Sequence, residues 1–239
     1  YSNDFDVEKA LNNSGWPYLD SNYNLWDNKK GTGASTVEYA FGGKMSVRTS
    51  GKLSNDGTGF SHYEGSGMNK IFFGAATSIL KIQKIAVSGT NFKLSFGGQK
   101  YGQDEASNAF SFEEFKVYLS NDSQKWVELN MAFKADADLD GDWNLASASF
   151  TLPAGTANLG IAFVCTKSSV YSIDDVLLEV GSEAGQAIDF SAGVEIGGTT
   201  SGDGSSSGES GSGSGDSTAP ANAIFFESFT SSQGEFTLN

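Results

Sequence analysis

A run of alternating acidic residues is the first feature of this sequence that could do chemistry. Asp136, Asp138 and Asp140 lead into Gly141, which matches the first half of a calcium loop, with acids at positions 1, 3 and 5 and a glycine at the sharp turn. Position 12 of such a loop would be Ser147, where a bidentate Glu is expected. The run is therefore either a partial metal site or a solvated acidic loop.

Aromatic residues in a polar loop form a second candidate site. The loop covers residues 12–30, is rich in Asn and Asp, and contains Trp16, Tyr18, Tyr23 and Trp26. Flat aromatic faces can stack on sugar rings, and the neighbouring amides and acids can pair with sugar hydroxyls. Tyr18, Tyr23 and Trp26 are therefore candidate ligand-binding residues, and burial in a core is the alternative.

The single histidine, His62, lies beside Tyr63 in a glycine-rich loop over residues 54–69. Surface loops often carry recognition, so both residues are added to the candidate ligand site. One histidine and one cysteine are too few for a zinc hydrolase, and no nucleophile-elbow motif accompanies His62. The sequence thus favours binding over catalysis, although paired carboxylates of a carbohydrate-active enzyme remain an alternative.

The net charge of −14 is unevenly distributed. The residues after Lys167 hold 11 of the 29 acidic residues and none of the 15 basic ones, which leaves a net charge of −3 in residues 1–167. No basic patch is evident that could neutralise nucleic-acid phosphates or an anionic membrane surface. No apolar run is long enough for a transmembrane helix. We therefore expect no nucleic-acid partner and no membrane insertion of this chain.

Two-residue alternation of apolar side chains dominates the first 180 residues and predicts an all-β fold. Glycine and asparagine turns separate the predicted strands, and the number of short strands favours a two-sheet antiparallel jelly-roll sandwich. The apolar phase slips between Ile82 and Ile85, which predicts a β-bulge near Gln83 or Lys84. Trp126 and Cys165 lie in apolar surroundings along the chain and are predicted to be core residues.

The character of the sequence changes after Gly181. Residues 197–218 are almost entirely Gly, Ser, Thr and acidic residues, a composition that cannot offset the entropy of ordering the chain. The sequence therefore predicts a jelly-roll domain over residues 1–181, a flexible acidic Gly/Ser linker over 182–223, and the first strand of a second, truncated domain over 224–239. The alternative for the last segment is a tail that docks on the first domain.

Three motifs in residues 1–181 carry a family resemblance. They are the opening Asn3-Asp4-Phe5-Asp6 with Gly15-Trp16 downstream, Val117-Tyr-Leu-Ser-Asn-Asp122 with Lys125-Trp126, and the closing Val170-Tyr-Ser-Ile-Asp-Asp-Val176. With them the chain resembles the galactose-binding-like jelly-roll domains of carbohydrate-binding modules and of choice-of-anchor modules in bacterial surface proteins. The resemblance implies two antiparallel sheets, often with a structural calcium, and members that bind sugars or act in adhesion.

In the resembling family, an acidic residue of the opening strand and the first Asp of the closing motif help to hold calcium. This implies Asp174 together with Asp4 or Asp6 as metal ligands. Strand alternation independently predicts that Asp174 shares a face with Val176, Leu178 and Val180, where an inward carboxylate needs a compensating charge or hydrogen bonds. The alternative is that Asp174 and Asp175 cap a hairpin and face water.

Two functions from different classes follow as hypotheses. The first is a secreted, cell-surface, non-catalytic glycan-binding module of a multi-domain bacterial protein, such as a lipoprotein, with polysaccharide as its partner. The second is a structural or adhesive jelly-roll spacer with protein partners, in which calcium would act only as a stiffener.

Overall fold

The computed structural model describes residues 1–3, 5, 37–49, 69–102, 107–134, 141, 143–167, 170–197 and 200–201. Within these ranges the regular elements are β-strands and one short 3-10 helix, Phe190–Ala192. No helix among the described residues is long and apolar enough to cross a membrane.

The described strands number fourteen. They are β1 Ser2–Asn3, β2 Glu38–Gly42, β3 Met45–Thr49, β4 Asn69–Phe73, β5 Ile79–Ala86, β6 Asn91–Lys100, β7 Phe115–Ser120, β8 Val127–Leu129, β9 Ala132–Phe133, β10 Asn144–Thr151, β11 Asn158–Cys165, β12 Tyr171–Val180, β13 Gln186–Ala187 and β14 Thr200–Ser201.

These strands form two sheets that pack face to face. The large sheet has the order β13-β10-β6-β12-β4-β3, with β1 added on β12 and β9 on β10. The small sheet has the order β14-β2-β5-β11-β7-β8. Every pairing is antiparallel except that of β10 with β13. The predicted all-β jelly-roll sandwich is therefore confirmed.

The core between the sheets is built largely from phenylalanine. Phe92, Leu94 and Phe96 alternate along β6 and are all buried. Across the sandwich, the ring of Phe96 meets Phe163 of the small sheet edge to face at 5.2 Å. Such pairs add about 0.5–1.5 kcal/mol beyond the area they bury. Cys165 lies in the same core with its thiol buried, as predicted.

A β-bulge in β5 accounts for the phase slip seen in the sequence. Ile82 pairs with Ile161 and Ile85 with Leu159, so Gln83 and Lys84 together stand opposite one residue of β11. Lys84 adopts a φ of 58° at this point. The bulge keeps both isoleucines in the core, and its prediction is confirmed.

A second bulge, in β12, overturns one sequence prediction. Asp174 pairs with Gly97, and Leu177 pairs with Ser95. The two residues between them, Asp175 and Val176, therefore stand opposite a single residue of β6. Asp175 has a φ of 48°. The extra residue reverses the alternation, because Ile173 and Val176 both face the core.

The prediction that Asp174 continues the face of Val176 and Leu178 is therefore wrong. Asp174 follows core-facing Ile173 directly in regular strand, so it lies on the outer face of the large sheet. Val180, placed on the same inner face by the sequence pattern, lies at the strand end beyond the core and is 72% exposed.

The packed part of the chain continues past the predicted boundary at Gly181. Residues 182–197, here called the C-terminal strap, add β13 to the edge of the large sheet and then cross to the small sheet. Ile188 and Phe190 enter the main core. Ile196 packs with Tyr118 and Trp126 on the outer face of the small sheet.

The predicted linker start at residue 182 is corrected by this packing. The strap supplies only a few large apolar residues, among them the pairs Ile188/Phe190 and Val194/Ile196, and a composition argument based on Gly, Ser and acids overlooked them. Trp126 is buried as predicted, in the cluster under the strap rather than between the sheets. The remaining predicted linker and the segment 224–239 lie outside the described residues, apart from β14.

Candidate functional site

Most of the predicted site residues lie outside the described residues. These are Asp4, Asp6, Asp136, Asp138 and Asp140 of the proposed metal sites, and Tyr18, Tyr23, Trp26, His62 and Tyr63 of the proposed ligand site. Asp174 is the member of the predicted set that the structure describes. Its surroundings define the candidate site.

Asp174 belongs to a polar and aromatic group on the outer face of the large sheet. We call this group the outer-face cluster; it comprises Arg48, Lys70, Phe72, Gln99, Tyr101, Trp143 and Asp174. The sheet register explains why they meet. Arg48 of β3 pairs with Lys70 of β4, and Asp174 of β12 pairs with Gly97 of β6. These residues alternate with the core-facing positions of their strands and so share the outer face.

Lys70 lies at the centre of the outer-face cluster. Its Nζ donates a hydrogen bond to Gln99 Oε1 at 3.3 Å and lies 5.5 Å from the centre of the Trp143 ring. Burial and the neighbouring Arg48 charge lower the pKa of Lys70 to about 8, while the Asp174 carboxylate acts in the opposite direction. The ammonium is thus close to losing its proton in mildly alkaline solution.

Arg48 supplies a second cation on this face. Its guanidinium carbon lies 3.4 Å from the centre of the Phe72 ring, and its Nε donates to Ser46 Oγ at 3.0 Å. Stacking and the hydrogen bond fix the guanidinium plane over the sheet. Arg48 and Lys70 both remain partly exposed.

Asp174 and Trp143 form the buried floor of the outer-face cluster, and each side chain is fully excluded from solvent. Asp174 Oδ1 accepts a hydrogen bond from the backbone N–H of Asp175 at 2.9 Å. Asp175 is the residue of positive φ at the bulge.

The Asp174 carboxylate acts electrostatically on the ammonium of Lys70. Calcium requires about six to eight oxygen ligands, and no group of three or more His, Cys, Asp or Glu residues able to hold a metal occurs in the described part of the chain. The described residues alone therefore do not make a calcium site. Calcium held by Asp174 with Asp4 or Asp6 remains a prediction.

Tyr101 forms the exposed rim of the outer-face cluster and is 51% exposed. It follows β6 in the same alternation as Gly97 and Gln99, so the outer face continues onto its ring. Gln99 Nε2 donates to Gly141 O at 2.7 Å, and Gly141 N donates to Asn108 O at 3.2 Å. Gly141 has a φ of 85°, in keeping with the sharp turn that the acidic run predicted.

A groove of about 240 Å³ beside β7 and β8 is a second candidate. It is lined by two carboxylates, Glu113 and Glu128, over an apolar floor that includes Phe112 and Leu129. Glu128 accepts a hydrogen bond from Lys116 Nζ at 2.6 Å, and Glu113 is exposed. A glycosidase needs one carboxylate shielded from water as its acid, so this groove gives no support to catalysis.

Sequence reasoning missed Arg48, Lys70, Gln99 and Tyr101. A signal was present in β6. Its apolar residues Phe92, Leu94 and Phe96 occupy the even positions, so Gly97, Gln99 and Tyr101 at the odd positions must lie on the other face of the strand. That pattern predicts a polar outer face ending in an aromatic residue. Arg48 of β3 and Lys70 of β4 join these residues only through pairing between distant strands, so no local sequence pattern predicts that they lie beside them.

Comparisons with known proteins find no match in sequence and only distant similarity in structure. No family model and no curated protein matches the sequence. Among solved structures, the CBM22-1 xylan-binding domain of Paenibacillus barcinonensis Xyn10C is 11% identical, with 77% of this chain and 95% of that chain covered at a TM-score of 0.40.

Two further solved structures cover only part of their own chains. The CBM22-1-GH10 modules of Clostridium thermocellum xylanase 10B, crystallised with xylohexaose, are 16% identical, with 63% of this chain and 27% of that chain covered at a TM-score of 0.39. The enzymatically active domain of bacteriophage CBA120 tailspike protein 4 is 14% identical, with 72% and 24% covered at a TM-score of 0.36. This chain thus spans about a quarter of either of these two proteins.

Proposed function

We propose that this chain is a non-catalytic glycan-binding module and that its ligand lies on the outer face of the large sheet. The observation that carries the proposal is the exposed Tyr101 ring at the rim of a rigid polar cluster. A sugar ring needs a flat aromatic face for stacking and fixed donors and acceptors for its hydroxyls.

The side chains around Tyr101 supply both donors and acceptors. Lys70 can donate to a ligand, and the largely buried Gln99 amide accepts from Lys70 and donates to Gly141, with a second N–H and a second lone pair left over. Their existing hydrogen bonds to each other and to Gly141 hold them in place before a ligand arrives. Preorganisation of this kind lowers the entropic cost of binding.

The two outer faces of the sandwich differ in a way that supports this choice. On the small sheet, Val194 and Ile196 of the C-terminal strap pack on Trp126 and Tyr118. Trp126 and Tyr118 are therefore covered by the strap and stabilise the fold, so they do not offer a surface to a ligand. On the large sheet, charged and aromatic residues combine with a half-exposed tyrosine, the pattern expected for recognition.

An extracellular location and a multi-domain context belong to the same proposal. A low-affinity sugar module gains from being tethered near others, because a flexible linker raises the effective concentration of the second site. The Gly/Ser-rich composition of residues 202–218 suits such a tether.

The test is affinity gel electrophoresis and calorimetry of the full chain against a panel of soluble polysaccharides. Tyr101→Ala should weaken binding by roughly tenfold or more if a stacked sugar ring gains as much as a stacked nucleobase, which is worth about 1–3 kcal/mol. Tyr101→Phe keeps the ring and should retain most of the affinity.

The matched control is Val180→Ala, which truncates another exposed apolar residue of the large sheet. It should leave binding unchanged. Equal affinities of Tyr101→Ala and the unmodified chain would move the ligand away from this face. Failure of every polysaccharide to bind would favour the spacer with protein partners.

A further inference from the structure

The edges of the two sheets are places where another chain could pair, because an edge strand presents N–H and C=O groups that point away from its own sheet. In the described sheets, the longer strands at the edges are β10 and β3 of the large sheet and β2 and β8 of the small sheet. Residues 186–201 reach three of these four strands. β13 pairs with β10, β14 pairs with β2, and the C-terminal strap contacts β8 between them.

Gln186 closes the edge of β8 with its side chain. Its Nε2 donates a hydrogen bond to Glu128 O at 2.8 Å, and its Oε1 accepts one from the backbone N–H of Asn130 at 2.9 Å. One residue of an added parallel strand would make the same two bonds. The backbone of Gln186 meanwhile pairs with Phe150 of β10. Gln186 therefore replaces a neighbouring strand on β8 while it belongs to the edge of the other sheet.

Val194 covers the same edge where the chain enters β8. Its N–H donates to Trp126 O at 2.9 Å, and its carbonyl oxygen accepts from the Trp126 N–H at 2.8 Å. Trp126, Glu128 and Asn130 are alternate residues, so their bonds to the strap lie on one side of the strand, away from β7. The strap thus occupies the backbone groups that a pairing strand would need.

Two glycines let the strap come this close to the sheet edges. A Cβ added to Gly185 would lie 2.0 Å from the carbonyl carbon of Ser149 in β10, and a Cβ added to Gly193 would lie 2.9 Å from Lys125 Cβ. A larger residue at either position would push the strap away from the edge that it covers.

We propose that the C-terminal strap keeps this module monomeric by covering β8, and that the uncovered edge of β8 pairs with a second copy of this chain. The two groups that Gln186 satisfies explain this choice of partner. In an antiparallel pair of β8 strands about a two-fold axis, Glu128 O of each copy would accept from the Asn130 N–H of the other copy. The edge is therefore complementary to itself.

The experiment is sedimentation equilibrium of the full chain and three variants. Gln186→Leu removes the amide and keeps a side chain of similar size, so it should dimerise roughly tenfold or more tightly than the unmodified chain. Gln124→Leu is the matched control, because it places the same apolar side chain at an exposed position in the turn before β8; it should behave as the unmodified chain does. Adding Asn130→Pro to Gln186→Leu should restore the monomer, because proline has no N–H to offer at the edge.

Amide hydrogen exchange of Asn130 in dilute solution tests the role of Gln186 directly. Asn130 is exposed, yet its N–H is bonded to Gln186, so this amide should exchange slowly in the unmodified chain. It should exchange roughly tenfold or more faster in Gln186→Leu, and at the unmodified rate in Gln124→Leu. Thermal melting checks that each variant is folded, and the measurement on the unmodified chain needs no variant.

Four results would overturn the inference. They are a folded Gln186→Leu chain that stays monomeric, dimers that persist after Asn130→Pro, an unmodified chain that dimerises as tightly as Gln186→Leu, and fast exchange of Asn130 in the unmodified chain. Each would show that the strap does not guard β8 or that copies pair elsewhere. The ligand face proposed on the large sheet is not involved, so the glycan-binding proposal is tested separately.

Discussion

Ile196 provides a sharp test of the C-terminal strap, because it lies 15 residues beyond the domain boundary that the sequence predicts at Gly181. Its side chain is 8% exposed and packs with Tyr118, Trp126 and Ala162. If the strap is part of the fold, shortening this side chain must destabilise the whole domain. If residues 182 onward are a flexible linker, the same change must be silent.

The expected size of the effect follows from the atoms removed. Ile196→Ala deletes three carbon groups, each worth about 0.8 kcal/mol on burial. The strap can relax toward the sheet and limit the cavity, so we expect a loss of about 2–3 kcal/mol, near the lower end for buried Ile→Ala changes. For a domain of this size that corresponds to a fall in Tm of roughly 5–10 °C.

The assay is thermal and urea unfolding of the full chain, followed by tryptophan fluorescence. Trp126 lies in the same cluster as Ile196, so one of the four tryptophans that contribute to the signal lies at the contact. Val180→Ala is the matched control and should change stability by less than about 0.5 kcal/mol, because Val180 is 72% exposed. Identical melting of Ile196→Ala and Val180→Ala would refute the docked strap and restore the linker start at residue 182.

Three further predictions concern titration, metal binding and the thiol. The pKa of Lys70 is about 8 in the folded chain, against 10.5 in the unfolded chain. Between pH 8 and pH 10.5, Lys70 is therefore protonated to a greater extent in the unfolded chain than in the folded one. Stability should therefore rise with pH from 8 to 10 relative to Lys70→Met, and parallel pH profiles in urea titrations would contradict this. If calcium binds as the sequence resemblance implies, adding calcium after treatment with EDTA should raise the Tm of the full chain. Asp174→Asn should abolish that rise. An unchanged Tm of the unmodified chain would refute the calcium prediction. Burial raises the pKa of the Cys165 thiol, so an aromatic disulfide reagent should react with it only in denaturant, and rapid reaction of the native chain would show that the thiol is accessible.

The β-bulge of β5 illustrates what local sequence predicts well. The slip between Ile82 and Ile85 predicts an extra residue because both side chains must reach the same core, and the structure has that residue at Gln83 and Lys84. Burial of Cys165 follows from the same local logic. In each case the residues that must be buried lie close together in the chain, so the periodicity of apolar residues is enough to predict their burial.

The bulge of β12 shows where local pattern misleads. Val176 and Leu178 alternate as expected, and nothing in the sequence indicates that Asp175 takes a positive φ and reverses the face of Asp174. The C-terminal strap failed for a related reason. Its larger apolar residues form two isolated pairs, Ile188 with Phe190 and Val194 with Ile196. One pair packs in the main core and the other on the outer face of the small sheet, and neither contact is encoded locally.

The sequence by itself determined the all-β class, the sandwich and its aromatic core, because alternating apolar side chains must share one buried face. Tertiary structure decided the candidate site. Arg48, Lys70, Gln99 and Asp174 are far apart in the chain and come from four strands, and only the pairing order β6-β12-β4-β3 places them on one surface. That order is set by contacts between distant segments, whose free energies no local pattern encodes.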